Sequence, residues 1–310
     1  MPDIVIALFA LGILAGLARS DLQIPKGTYD TLSILLMLAI GLKGGVALHG
    51  NLSVSLVPEL LAITALGFLI PLALYPVLRK MVQLDAADSA SFAAHYGSVS
   101  AGTFAVAVAY VDQAGLQVAP QTTLYLVLLE MPAIVAGVLI YRRVTGSGGT
   151  VGHLLREAFT SRGVVLLLGG VLIGALYGHT GLAPISALFL DLFKGFLALF
   201  LLEMGLCTSV YLREWRADQW RVVAFAAVAP LVLVWTGLLT GRALGLPEGS
   251  VLLLAVLTAS ASYIAAPAAI RAAIPAADTG KTMFAALGVT FPLNVVFGIP
   301  LYHALLTRIG

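Results

Sequence analysis

Ten apolar stretches divide the chain, at residues 4–18, 30–48, 56–78, 89–111, 122–140, 163–178, 186–210, 219–244, 250–271 and 281–306. Charges or Gly/Pro clusters separate them. A chain whose text is mostly such stretches has few solvents to choose from. Of its 310 residues 60% are apolar and only 10% charged, against about 25% charged in soluble domains. A soluble fold of this length cannot hide that much apolar surface, so lipid is the expected solvent and membrane lipid an expected partner. In lipid every backbone polar group must be satisfied internally, which leaves helices for apolar stretches of this length. The first and sixth stretches look short for a bilayer that needs about 20 residues. The single cysteine, Cys207, rules out a disulfide framework. No Lys/Arg run with interleaved aromatics is present, so no nucleic-acid partner is expected.

Charge orients the spans. Ten spans put both termini on one side. The loops on the opposite side carry Arg19, Lys26, Arg79, Lys80, Arg142, Arg143, Arg156, Arg162, Arg213, Arg216, Arg221, Arg271 and Lys281, whereas the terminal side carries only Arg242 and Arg308. Positive loops stay in the cytoplasm. Both termini are therefore expected outside, with loop 141–162 inside, in a bacterial inner membrane. Asp3 precedes the first apolar run while Arg19 and Lys26 follow it, the reverse of a cleaved signal, so a retained helix is expected there.

The two halves of the chain echo each other. Gly12-Ile-Leu-Ala-Gly16 matches Gly170-Val-Leu-Ile-Gly174, and Ile40-Gly-Leu-Lys-Gly-Gly-Val-Ala-Leu48 matches Met204-Gly-Leu-Cys-Thr-Ser-Val-Tyr-Leu212. Pro71-Leu-Ala-Leu74 matches Pro230-Leu-Val-Leu233, Ser98-Val-Ser100 matches Ser260-Ala-Ser262, and Pro132 matches Pro292. The offsets are 158, 164, 159, 162 and 160, and the pairs keep their order. Repeats of five spans, an odd number, must be inverted relative to one another, the plan of many secondary transporters. The expected fold is an all-α polytopic membrane protein of ten transmembrane helices. Residues 1–140 form the first five-helix repeat, 141–162 a cytoplasmic loop, and 163–310 the second, inverted repeat.

The fourth and ninth stretches are unusual at their centres. One reads Ala94-His-Tyr-Gly-Ser-Val-Ser-Ala-Gly-Thr103, the other Thr258-Ala-Ser-Ala-Ser-Tyr-Ile-Ala-Ala-Pro267. Gly and Pro weaken a helix, and Ser competes for its backbone hydrogen bonds. Small residues also let helices pack closely. If both helices are broken at the midplane, the second half of each begins there, and two positive helix ends converge on one point. That makes an anion site without a buried Arg or Lys. Carbonyls freed in the first halves, with Ser and Thr hydroxyls, offer oxygen ligands to a small cation such as Na⁺.

Glu130-Met-Pro132 and Thr290-Phe-Pro-Leu-Asn294 each free a carbonyl through their proline. Glu130 is an intramembrane acid, functional by default or else paired with a hydroxyl. Asn294 is a candidate ligand or interhelical glue. His95 reads better as a hydrogen-bonded packing residue than as a gate. Asp191 and Lys194, three apart, are expected to pair, while Lys43 and Glu203 have no assignable role. His-Glu-x-x-His, Gly-x-Ser-x-Gly and Gly-x-x-x-x-Gly-Lys are all missing, so no enzyme and no organic cofactor is expected.

At these motifs the chain resembles the sodium-dependent bicarbonate transporter family first recognised in cyanobacteria. The likeness covers nearly the whole length. It is sharpest in Ile40-Gly-Leu-Lys-Gly-Gly45, Gly97-Ser-Val-Ser-Ala-Gly-Thr103, Glu130-Met-Pro132, Thr258 through Pro267, Arg271-Ala-Ala-Ile-Pro275 and Gly298-Ile-Pro-Leu-Tyr302. The resemblance implies a core domain with the broken helices, a gate domain, elevator movement and a homotrimer. It implies bicarbonate, or a similar small monoanion, taken up with Na⁺. The anion would meet Gly97, Ser98, Val99, Ser100, Ala101, Gly102 and Thr103, with Ser260, Ala261, Ser262 and Tyr263. Sodium would meet oxygens of Ser98, Ser100, Glu130, Thr258, Ser260, Ser262 and Asn294. Three positions depart from the cyanobacterial pattern: Tyr263 stands where that family has Asp, Lys43 where it has Thr, and Asn294 where it has a small neutral residue. The middle loop is short, which argues against the PII-like regulator that a long loop serves in cyanobacterial members. The competing readings are a Na⁺-coupled organic-anion carrier, a cation/proton antiporter and a membrane receptor without transport.

The charge asymmetry is directly testable. A reporter fused after residue 150 should give a cytoplasmic signal and one after residue 310 an external one. A cytoplasmic signal from the second fusion contradicts the orientation.

Overall fold

The computed structural model describes residues 4–51, 53–146, 160, 162–214 and 217–309, so most of loop 141–162 lies outside the described residues. Among the described residues the chain is all helix, without strands. In chain order the helices are α1 Ile4–Leu17, α2 Lys26–Leu48, α3 Val57–Val77, α4 Ala86–Gly97, α5 Ala101–Ala114 and α6 Leu124–Thr145. There follow α7 Arg162–Leu182, α8 Phe193–Glu214, α9 Trp220–Ala243, α10 Glu248–Thr258, α11 Ala265–Ala273 and a continuous helical run α12 over Thr279–Ile309. Among the described residues seven helical runs are long and apolar enough to cross a membrane, those containing α2, α3, α6, α7, α8, α9 and α12, while α1 and α10 are shorter apolar helices. This is a multi-pass membrane protein.

The sixth apolar stretch ends at a kink: Gly178 takes up φ 60°, outside the helical region, and helical structure resumes beyond it to Leu182. In α12 the turns widen over Phe284–Thr290 and Asn294–Gly298, on either side of Pro292, which cannot donate to the helical ladder.

Helices α1, α2, α7 and α8 pack as one group, with α1 on α8 and α2 on α7. Glycines set both contacts. A Cβ on Gly12 would stand 3.1 Å from Gly205 Cα, and one on Gly41 would stand 3.1 Å from Gly170 Cα. Backbones this close tolerate only small residues. Gly12 and Gly170 are matched in the two halves of the sequence, as are Gly41 and Gly205, so exchanging the halves turns one contact into the other.

The other group holds α3, α4 and α6 with α9, α10 and α12. Its interrupted helices are anchored at their starts. The Asp278 N–H donates to Asp88 Oδ1 at 2.8 Å, and Lys281 Nζ lies 2.8 Å from Asp88 Oδ2. In the other half the Ala119 N–H donates to Ser250 Oγ at 2.7 Å, and the Thr122 and Ser250 hydroxyls are 2.8 Å apart. In both, the start of an interrupted helix holds the turn that leads into a proline-containing helix of the opposite half.

The expected ion pair is absent, and a residue left without a role by the sequence finds a partner. Asp191 and Lys194 form no ion pair: Asp191 sits in a wide turn over Ala187–Asp191, while the helix begins only at Phe193, so helical spacing does not hold between them. Lys43 instead pairs with Asp112 of α5, joining the two helix groups.

The glycine contacts predict a sharp contrast within α7. A Cβ on Gly174 would stand 2.4 Å from the Leu42 carbonyl, whereas one on Gly169 meets nothing within 4 Å. Gly174→Ala should cost about 1–3 kcal/mol by overpacking. Gly169→Ala should be neutral or stabilising by up to about 1 kcal/mol. Thermal unfolding of both variants in detergent checks this.

Candidate functional site

Helix α4 ends at Gly97 and α5 begins at Ala101, leaving Ser98–Ser100 extended. Gly97 is required where the first helix stops: a Cβ there would stand 2.3 Å from Cγ of Pro71 on α3. Ser100 is the N-cap of α5. Its Oγ accepts from the Thr103 N–H at 3.0 Å and from the Thr103 hydroxyl at 2.8 Å. The second interruption runs between Thr258 and Ala265. There the Ser262 Oγ accepts the Ala266 N–H at 3.1 Å, at the entrance to α11.

The two interruptions lie against each other. The Ser100 N–H donates to Ser260 Oγ at 2.9 Å, and the Ser262 N–H donates to the His95 carbonyl at 2.8 Å. Ser260 Oγ in turn donates to the Leu257 carbonyl at 2.8 Å. None of these bonds uses a charged side chain. Two helix N-termini, those of α5 and α11, therefore open from one dry, hydrogen-bonded junction, and the first N–H groups of each have no intrahelical acceptor.

The expected site residues divide by role. Gly97, Ser98, Val99, Ser100, Gly102, Thr103, Ser260, Ala261, Ser262 and Tyr263 are buried at the two interruptions, and Ala101 is half-buried. Ser100, Ser260 and Ser262 spend their hydroxyls on capping and cross-links. Ser98 Oγ alone of the four serine hydroxyls is buried without a hydrogen-bond partner. Thr258 turns its hydroxyl back to the Ala255 carbonyl at 3.0 Å. Asn294 donates to the Ala259 carbonyl at 2.7 Å and accepts from the Tyr302 hydroxyl at 2.7 Å, bracing the end of α10. Glu130 faces a neighbouring cavity of about 340 Å³, lined also by Met37, Arg162, Ile264 and Ala265. That cavity reaches the entrance of α11. Its carboxyl makes no side-chain hydrogen bond or ion pair among the described residues.

His95 matches its sequence reading in part: Nδ1 donates to the Ser91 carbonyl at 2.7 Å, while buried Nε2 has no partner. Sequence reasoning missed the bond between the Tyr96 and Thr290 hydroxyls, 2.7 Å apart. No local pattern links residues so distant in the chain. No cluster of three or more His, Cys, Asp or Glu that could hold a metal exists among the described residues. A cation at the junction would meet neutral hydroxyl and carbonyl oxygens, a donor set suited to a hard monovalent ion and unsuited to a transition metal.

A model of the Na⁺-dependent bicarbonate transporter superfamily matches residues 4–307. No curated protein matches the chain.

Proposed function

The chain belongs to the Na⁺-dependent bicarbonate transporter superfamily, and from that membership we propose that it couples Na⁺ entry to uptake of bicarbonate or a similar small monoanion at the paired interruptions. The observation that carries this reading is the junction itself. Two helix N-termini begin at interruptions that are hydrogen-bonded to each other, and their free N–H groups suit an anion. The carbonyl ends of α4 and α10, with the Ser98 hydroxyl, suit Na⁺. Each ion offsets the desolvation cost of the other, which is a physical basis for coupling.

In this reading α4 with α5 is one span and α10 with α11 another, giving ten spans in two inverted five-helix repeats. The crossed glycine contacts and the two matched helix-start anchors support the repeat. Helices α1, α2, α7 and α8 form the gate, and the remaining helices form the core that slides past it as an elevator, the simplest use of two separately packed groups. The cavity beside Glu130 lies near Arg162, on the side that basic loops assign to the cytoplasm, while the Lys43–Asp112 pair joins gate to core on the other. That combination suits a conformation open inward. A homotrimer in the plasma membrane, with both termini outside, completes the reading. A cation/proton antiporter has less support, because the junction's hydrogen bonds are all made by neutral groups.

Proteoliposomes supply the test. Labelled bicarbonate uptake should need an inward Na⁺ gradient and fall to background when choline replaces Na⁺. Equal uptake in choline overturns the coupling. Flux of another anion without flux of bicarbonate overturns the substrate.

A further inference from the structure

Tyr263 lies within the second interruption, two residues before α11, and is 94% buried, its relative exposure being 6%. Its ring is held edge-to-face on Phe291, with centroids 5.4 Å apart. The hydroxyl is thereby aimed at the first turn of α5: a Cβ on Gly102 would stand 2.1 Å from the Tyr263 oxygen. Only glycine leaves room for it. The hydroxyl lies beside Ser100 yet makes no hydrogen bond of good geometry. Both acceptor sites of Ser100 Oγ are occupied by the Thr103 N–H and hydroxyl, so the phenol O–H finds no acceptor there.

A buried phenol without a partner is costly, and native structures rarely leave one. Here it stands against the first turn of α5, whose opening N–H groups, those of Ala101 and Gly102, have no intrahelical acceptor. A phenol O–H donates a single hydrogen bond and, unlike a carboxylate, does not repel an anion.

We propose that the Tyr263 hydroxyl is a direct hydrogen-bond donor to the transported anion, a small oxyanion held against the first turn of α5. The proposal rests on the transport reading above and adds a side-chain specificity determinant to its backbone site. A site built to donate to a substrate oxygen discriminates through the donor left unpaired when that oxygen is missing.

The experiment measures bicarbonate uptake by wild type, Tyr263→Phe and Gly102→Ala in proteoliposomes, varying bicarbonate at saturating Na⁺ and then Na⁺ at saturating bicarbonate. Tyr263→Phe should raise the bicarbonate concentration for half-maximal uptake about tenfold, with the Na⁺ requirement unchanged. Gly102→Ala keeps the phenol but presses on its oxygen, so it should raise the same quantity, and the two effects should not add in the double variant. A wild-type bicarbonate requirement in either single variant, or a shift in the Na⁺ requirement instead, overturns the proposal. Absence of bicarbonate flux in the wild type is a separate result, and it overturns the transport reading first.

Discussion

Two backbone donors hold the structure's centre together: the Ser100 N–H on the Ser260 hydroxyl and the Ser262 N–H on the His95 carbonyl. Breaking a helix in an apolar setting strands donors and acceptors that lipid cannot satisfy. Breaking two helices side by side lets each supply what the other lacks. The serines add local caps, and Asn294 holds the Ala259 carbonyl from α12. Among the groups at the junction left without a partner are the Ser98 and Tyr263 hydroxyls and His95 Nε2, together with the first N–H groups of α5 and α11. A ligand is the natural partner for groups of that kind in a dry interior.

The surrounding packing serves this junction. Close glycine contacts lock α1 to α8 and α2 to α7, giving a rigid group beside the one that carries the interruptions. In the proposed elevator movement, close-packed helix pairs of this kind would confine the motion to the boundary between the groups. The Lys43–Asp112 pair crosses that boundary. Both residues are half-exposed, so the pair is worth little to stability and is easily broken and remade.

Much of this was legible in the sequence, for identifiable reasons. The interruptions follow from Gly97, the serines and Pro267, which oppose helix by local chemistry wherever they occur. The repeated glycine motifs were visible as text, but not that Gly12 meets Gly205 and Gly41 meets Gly170, since which helix each faces is a tertiary fact. The serine hydroxyls were read as candidate ion ligands, and three of the four also cap or cross-link backbone, a use that sequence spacing does not separate from ligation. The Asp191–Lys194 pairing failed because it assumed a regular helix through a wide turn. Lys43 found its partner 69 residues away, beyond any local rule.

The central claim is that the paired interruptions bind the coupling ion, and Ser98 tests it most cleanly because its hydroxyl supports no observed hydrogen bond. The measurement is the Na⁺ concentration for half-maximal bicarbonate uptake in Ser98→Ala, alongside its thermal stability. The account predicts a rise of about tenfold or more from the lost ligand, with stability unchanged or improved, because a buried unpaired hydroxyl has been removed. A variant that folds like the wild type and keeps the wild-type Na⁺ requirement would contradict it.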